Sequence, residues 1–356
     1  MSERVLRVGI AGYGVVGQRR RHFIDRHPNL RTVAVCDRTF GGEGSMADGV
    51  RHFADHRRLL TEPFDLLFVC LSNDVAAQAT RDGLSANRHV FCEKPPGRAP
   101  SEVAEVIATA RQHPSLRLKY GFNHRYHESV RDALKLVRSG ELGRVINLRG
   151  VYGKSKIINF GSSDWRSQRA IAGGGILLDQ GIHMVDLMRL FAGEFDTIHS
   201  FVSNSFWHHD VEDNAYALMR TAGGVVAMLH SSATQWRHRF SLEIALEAGM
   251  VGLTGILSGS KSYGAETLTV AWKSEDGAGD PKEQTIRYNH DPSWADEIAD
   301  FADCVIADRP IEEGSAEDAL RTMELVYRIY QADPEWSRRW GLGDAQVPSA
   351  SYAGQS

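Results

Sequence analysis

Short apolar runs alternate with helically spaced segments through the first third of the chain. Val5–Ala11, Thr32–Asp37, Asp65–Leu71, His89–Cys92 and Arg117–Gly121 are rich in Val, Leu, Ile, Phe and Cys. Between them lie spacings such as Val103, Val106, Ile107 and Ala110. Strands that are apolar throughout must be covered on both faces. Residues 1–121 are therefore expected to form an α/β Rossmann domain, a doubly wound parallel sheet. Beyond that point the pattern changes. A helix is expected over Ser129–Arg138, a strand over Val145–Tyr152, and, after a polar Gly-containing loop, a helix from about Ile176 to Phe191. Between Ile198 and Tyr288 the period becomes two: Phe240, Leu242, Ile244 and Leu246 alternate with Ser241, Glu243 and Ala245, and Leu268, Val270 and Trp272 with Thr267, Thr269 and Ala271. One buried face per strand predicts an α+β domain over 122–332 with a large, mostly antiparallel open sheet. Two helices close it. Ser293 is the expected cap of the first, whose stripe is Trp294, Ile298, Phe301 and Val305. Ser315 with Asp318 opens the second, which carries Ala319, Leu320, Met323, Tyr327 and Tyr330. Residues 333–356, rich in Gly, Ser, Ala and Pro, read as a poorly ordered tail.

Composition narrows the function classes. A chain of 356 residues is long enough for two domains, and a net charge of −4 gives no reason to expect nucleic acid or an anionic membrane as partner. The run Leu66–Leu71 is too short to span a bilayer. Arg19, Arg20 and Arg21 are not followed by the apolar stretch an export signal needs, so they read as a solvated helix face. Cys36, Cys70, Cys92 and Cys304 form no CxxC pair and are expected to be reduced, buried thiols in a cytoplasmic protein. No metal is expected; His208, His209 and Asp210 read as a turn before a strand starting near Asn214.

Chemistry enters with Gly12-Tyr13-Gly14-Val15-Val16-Gly17, which follows a strand and opens a helix. Such glycines give a tight turn, close backbone approach to a diphosphate, and close packing of helix on strand. Asp37 lies 20 residues beyond Gly17, at the end of the next apolar run. There a carboxylate accepts from an adenosine ribose hydroxyl and repels a 2′-phosphate, which favours NAD over NADP. Arg38 leaves NADP open, since it can stack on adenine or pair with that phosphate. Glu93-Lys94-Pro95 follows a Rossmann strand, so Lys94 is expected to face the ligand crevice, before a peptide bond that can be cis. Asp179 and His183, after Gly173-Gly174-Gly175, are four apart on an expected helix and so share a face. A carboxylate beside an imidazole suits a general base.

In order and spacing, the glycine fingerprint, Glu93-Lys94-Pro95, Asn123-His124-Arg125, Gly140–Gly143 and Gly173-Gly-Gly…Asp179…His183 resemble the Gfo/Idh/MocA family of glucose–fructose oxidoreductase and inositol dehydrogenase. The resemblance runs to about Ala332. It implies a catalytic set of Lys94, Asp179 and His183, and a substrate cleft lined also by Asn123, Arg125, Tyr152, Trp165 and Arg166. It implies cofactor contacts from the fingerprint, Asp37, Arg38, Glu93, Lys94 and the segment Leu71-Ser72-Asn73. In that last segment the family often reads Thr-Pro-Asn. It further implies homodimers or homotetramers paired through the second-domain sheet. The implied function is an NAD(P)-dependent dehydrogenase acting on a carbinol of a sugar, sugar derivative or inositol. Arg149, Arg166, Arg169, Arg237 and Arg239 leave a phosphate- or nucleotide-linked sugar open beside an ordinary charged surface. A non-catalytic dinucleotide or sugar sensor and an NAD-dependent glycosidase are the alternatives.

Overall fold

The computed structural model describes residues 5–157, 165–259, 262–274 and 280–343. The five apolar runs become the strands β1 (Leu6–Ala11), β2 (Leu30–Cys36), β5 (Leu66–Val69), β6 (His89–Glu93) and β7 (Leu118–Gly121). The short strands β3 (Gly44–Ser45) and β4 (Arg51–Phe53) extend them into a seven-stranded sheet ordered β3-β4-β2-β1-β5-β6-β7. All neighbours are parallel except β3 and β4. The order reverses at β1, and it is outside the carboxyl ends of such strands that α/β sheets bind ligands.

Both faces are covered, as apolar parallel strands require. On one face Val8, Ile10, Phe68 and Phe91 meet Ile24 of helix Val15–Ile24 and Ile298, Phe301 and Ala302 of helix Ser293–Ile306. Phe301 lies edge-on to Phe68 and Phe91, with ring centroids 5.9 and 5.7 Å away. The helix expected to close the second domain therefore packs on the first sheet. Ser293 is also not its cap: Pro292 holds that place, and the Ser293 N–H donates to Asp291. Ser315 does cap helix Ala316–Ala332, accepting from the Asp318 N–H. That helix packs between Pro100–Arg111 and Ile182–Ala192 and against the edge of the second sheet, making the apolar interior continuous across both domains.

The second sheet has eight strands among the described residues: β8 (Val145–Gly153), β9 (Thr197–Ser203), β10 (Asn214–Arg220), β11 (Val226–Ser232), β12 (Arg239–Leu246), β13 (Gly249–Thr254), β14 (Glu266–Trp272) and β15 (Lys282–Tyr288). Their order is β15-β14-β13-β12-β8-β11-β10-β9, and only β8 and β11 run parallel. Helices Glu128–Ser139 and Ile182–Ala192 cover one face; among the described residues the other is open, with Phe201, Tyr216, Leu218 and Met228 exposed.

The expected tail is folded to Gly343. Asp333 caps a helix at Pro334–Trp340 that buries Trp336, and Leu342 is buried beyond it. Residues 344–356 lie outside the described residues. No described helix is long and apolar enough to cross a membrane. The four cysteines are unpaired, and burial pushes the thiols of Cys36 and Cys92 up to about 12. His208, His209 and Asp210 lie in a turn, where Asp210 accepts from the Arg169 N–H; among the described residues no metal-holding group of three or more ligands occurs.

Candidate active site

The turn after β1 shows why each fingerprint glycine is needed. Gly12 has φ +90°, and a Cβ there would lie 2.4 Å from the carbonyl oxygen of Cys70. A Cβ on Gly17 would sit 1.9 Å from the Gly12 carbonyl oxygen. Around Gly14 the reverse holds: nothing lies within 4 Å, so the backbone is open to close approach. Gly14 caps helix Val15–Ile24 without a side-chain hydrogen bond, leaving first-turn N–H groups for an anion. Val15 is exposed and Val16 half-buried at this mouth. At the end of β2 the Asp37 carboxylate accepts from the Tyr13 N–H at 3.0 Å, which ties it to the glycine turn. Its other oxygen takes the Thr39 N–H and hydroxyl, while Arg38 is exposed. These residues fit a dinucleotide: the glycine turn would hold its diphosphate, and Asp37 its adenosine ribose.

Two residues assigned to the cofactor point elsewhere. Asn73 Nδ2 donates to the Ala172 carbonyl at 2.7 Å, so its amide tethers the segment before Gly173. Leu71 and Ser72 stay half-buried at the end of β5, with the Ser72 hydroxyl donating to Asp74. Glu93 turns back to Arg20, 2.6 Å away, and Arg20 also holds Glu297 at 2.7 Å. A guanidinium with 1% exposure needs such partners, and Glu93 supplies one.

Lys94 reaches forward. The Lys94–Pro95 peptide is cis. Lys94 Nζ donates to the Asp179 carbonyl at 2.5 Å and lies 3.9 Å from Asp179 Oδ1; Arg166 Nε stands 3.5 Å from the same oxygen. Burial pushes the Asp179 carboxyl up, but Lys94, Arg166 and Lys154 together hold it below the usual carboxylate range. Burial in turn lowers the Lys94 ammonium, against the pull of Asp179 and Glu93. The Trp165 ring lies 4.2 Å from the Arg166 guanidinium.

The expected Asp179–His183 pair does not form among the described residues. Leu177–Gly181 is a π-helical turn, and the α-helix Ile182–Ala192 begins only after it. The two side chains take other partners: Asp179 Oδ1 lies near Lys94 and Arg166. His183 stacks instead on His124, with centroids 3.7 Å apart and planes 12° apart. Burial, then His124 and Lys94, hold the His183 imidazole well below its ordinary range, so it is neutral near pH 7. His183 Nδ1 and Asp179 Oδ2 are buried without a hydrogen-bond partner. Buried polar atoms left open in this way are expected where a ligand completes them.

The substrate-lining set divides. Tyr152 is buried, and its hydroxyl meets His124 Nε2 at 3.1 Å. Asn123 donates to Ser293 Oγ and its carbonyl oxygen lies 3.3 Å from His124 Nδ1, which sets the His124 ring. Arg125 leaves the cleft altogether. It is buried, bidentate to Asp186 at 2.5 and 2.7 Å, and paired with Glu313 and Asp318.

Three residues were not anticipated. His124 is one. Lys154 is another, legible in the strand period because it shares the parity of Tyr152. Glu212 carried no signal: buried at 1% exposure, it accepts from Gly175 N–H, Leu177 N–H and the Tyr330 hydroxyl, and so anchors the turn that presents Asp179.

Lys154 gives the site a pH signature. Burial first, then Lys94 and Arg166, lower its ammonium to about 8 despite Asp179. The charge is present below that pH and lost above it. The expected kcat/KM profile is level from pH 7 down to 6, because His183 is already neutral, and falls as pH rises through about 8. Lys154→Arg should move that descending limb to higher pH; an unmoved limb rules Lys154 out as its source.

Residues 6–122 match the oxidoreductase family with an NAD-binding Rossmann fold, and residues 130–252 match the GFO/IDH/MocA C-terminal domain. The chain belongs to the GFO/IDH/MocA family of oxidoreductases, and its first domain is the family's NAD-binding Rossmann fold. It is 27% identical over 295 residues to the D-glucoside 3-dehydrogenase of Escherichia coli, covering 76% of this chain and 80% of that one. With the inositol 2-dehydrogenase of Salmonella typhimurium it shares 23% over 280 residues, 75% and 80% of the two chains. A levoglucosan dehydrogenase solved with NADH and levoglucosan superposes with a TM-score of 0.79 at 20% identity, covering 94% of this chain and 98% of that chain.

Proposed function

We propose that the protein transfers a hydride between a nicotinamide and a carbinol or keto carbon of a sugar, a sugar derivative or inositol. The observation that carries this reading is the meeting of two distant residues. Lys94, at the end of a Rossmann strand, reaches Asp179, and its charge bears on the neutral His183 of the second domain, whose Nδ1 has no hydrogen-bond partner. In the oxidative direction His183 accepts the hydroxyl proton. The Lys94 ammonium opposes the negative charge growing on the same oxygen, and Asp179 with Arg166 fixes where that ammonium stands. Bound nicotinamide supplies the hydride acceptor or donor. Relatives whose names specify a glucoside, an inositol and levoglucosan support a polyhydroxylated substrate.

NAD is the preferred cofactor in this reading, because Asp37 would repel a 2′-phosphate. The test is reduction of NAD and of NADP by the purified protein with a panel of sugars, sugar acids, sugar phosphates and inositols. Turnover with NAD at several-fold higher kcat/KM than with NADP is expected. Cofactor binding without reduction by any member would overturn the dehydrogenase reading.

The open face of the second sheet supports pairing of two copies. Phe201 is 79% exposed and lies across from Tyr216, while Leu218 lies across from Met228; all four are exposed. Adjacent exposed apolar side chains of this size are unusual on a monomer and suit a self-complementary, two-fold interface. A homodimer or homotetramer is therefore expected in sedimentation, and a monomer at micromolar concentration would end this part of the reading.

A further inference from the structure

We propose that Tyr327 and Tyr330, on helix Ala316–Ala332, are positioning residues that together set the distance between Lys94 and Asp179 across the two domains. The proposal rests on the dehydrogenase reading for what that distance does, and adds to it a device in the closing helix.

Lys94 and Asp179 come from two separate segments. Lys94 leads into Pro95-Pro96-Gly97-Arg98 of the first domain, and Asp179 follows Gly173-Gly174-Gly175 in the second. Each segment is held to one of the tyrosines. The Tyr327 hydroxyl donates to the Arg98 carbonyl. The Tyr330 hydroxyl donates to Glu212 Oε1 at 2.7 Å. From Glu212 the connection runs on to the site. Gly175 N–H donates to Oε2 at 2.7 Å, Asp179 N–H to the Gly175 carbonyl at 2.8 Å, and Lys94 Nζ to the Asp179 carbonyl at 2.5 Å. Residues three apart on an α-helix share a face, so one turn of a single helix grips both segments. Both tyrosines are buried, their rings edge to face with centroids 5.8 Å apart.

The three glycines show how closely these parts fit. A Cβ on Gly173, where φ is +83°, would lie 2.5 Å from the Arg98 carbonyl oxygen, so the two segments touch at the atom that Tyr327 holds. A Cβ on Gly174 would lie 2.4 Å from the Tyr330 hydroxyl, and one on Gly175 2.1 Å from the Glu212 carbonyl oxygen. The run therefore makes room for a tyrosine and a glutamate that no local pattern requires.

Glu212 makes Tyr330 matter to the site. Its carbonyl takes the Ile176 N–H and its carboxylate those of Gly175 and Leu177, so one residue meets three successive donors at the start of the helical segment. A buried carboxylate bonded by neutral donors depends on each of them. Removing the Tyr330 hydroxyl loosens the carboxylate and, through Gly175, the residue that Lys94 meets. Removing the Tyr327 hydroxyl frees the segment on the Lys94 side.

The test compares Tyr327→Phe, Tyr330→Phe and the double variant with Tyr288→Phe, which loses a bond to Asp132 on the edge strand β15. Phenylalanine keeps each ring and removes only the hydroxyl. Single-turnover NAD reduction is followed with the fastest sugar of the panel, starting from levoglucosan, myo-inositol and methyl β-D-glucoside, below each variant's melting temperature. The double variant should transfer hydride slower by about tenfold or more, since a misplacement of about 1 Å can cost about 10²-fold. Its NADH affinity should be unchanged. Tyr288→Phe should keep the wild-type rate even where its melting temperature falls. Each single variant is read in the same way, so a double variant too unstable to assay leaves the comparison intact. Hydrogen exchange of the NADH complexes needs no sugar: the amides of Gly175, Leu177 and Asp179 should exchange faster in Tyr330→Phe but not in Tyr288→Phe. Wild-type hydride transfer in the folded tyrosine variants, or unchanged exchange across Gly173–His183 in Tyr330→Phe, would overturn the proposal whatever the melting temperatures. Faster exchange in a protein that oxidises no sugar of the panel would instead end the dehydrogenase reading and leave the clamp standing.

Discussion

His183→Ala should lower kcat by roughly 10²- to 10⁴-fold, the range for a general acid–base group, with a smaller effect on NADH affinity. The size of the effect follows from the state in which the ring is held. A base must be unprotonated when the substrate arrives, and His183 is kept so by burial, by the stacked His124 ring and by the nearby Lys94 charge. Water cannot readily replace it, because the ring is only 4% exposed. The measurement is single-turnover hydride transfer, followed by nicotinamide absorbance. A His183→Ala protein that retains near wild-type single-turnover rates removes the base role, whatever happens to its steady-state rate. The stacking partner offers an internal control. His124→Phe should keep an aromatic ring against His183 while abolishing the bond to Tyr152, and the loss of rate should be well below that of His183→Ala.

What the chain discloses before folding depends on how local the cause is. The five long strands of the first sheet were legible because burial on both faces writes itself into consecutive residues. Gly44–Ser45 and Arg51–Phe53 were not, since two or three residues carry no period. The glycine fingerprint was legible because its causes lie within one turn, apart from the close approach of the Cys70 carbonyl. The C-terminal helix did announce itself, through Asp333 before Pro334 and two tryptophans four apart, but composition alone hid it. That Asp179 and His183 are not joined by a hydrogen bond was not legible. The turn that presents Asp179 is held by Glu212, a residue distant in sequence, and nothing near Asp179 betrays that contact. Lys94 and His183 were placed together by topology and family resemblance, and no local pattern could have done so.

Arg125 shows the same limit, and its replacement is expected to have the second large effect. Asn123-His124-Arg125 sits beside the cleft in sequence, yet the guanidinium turns inward to Asp186, Asp318 and Glu313. Arg125→Met leaves the Asp186 carboxylate, 1% exposed, without its bidentate partner. Removing one member of a buried ion cluster costs about 3–5 kcal/mol, because the remaining charge stays desolvated. The pH dependence has a definite sign. Burial raises the Asp186 carboxyl above its ordinary value even with Arg125 opposing the rise, and without Arg125 it rises further. A folded-state pKa above the unfolded one means stability lost as pH rises through it and recovered as pH falls. The variant's deficit should thus be largest at pH 8 and shrink toward pH 5, read as melting temperature or denaturant midpoint against wild type at each pH. At a temperature where the variant is folded, kcat should change far less than in His183→Ala. Normal melting with lost turnover would return Arg125 to the substrate cleft and with it the reading taken from its place in the sequence.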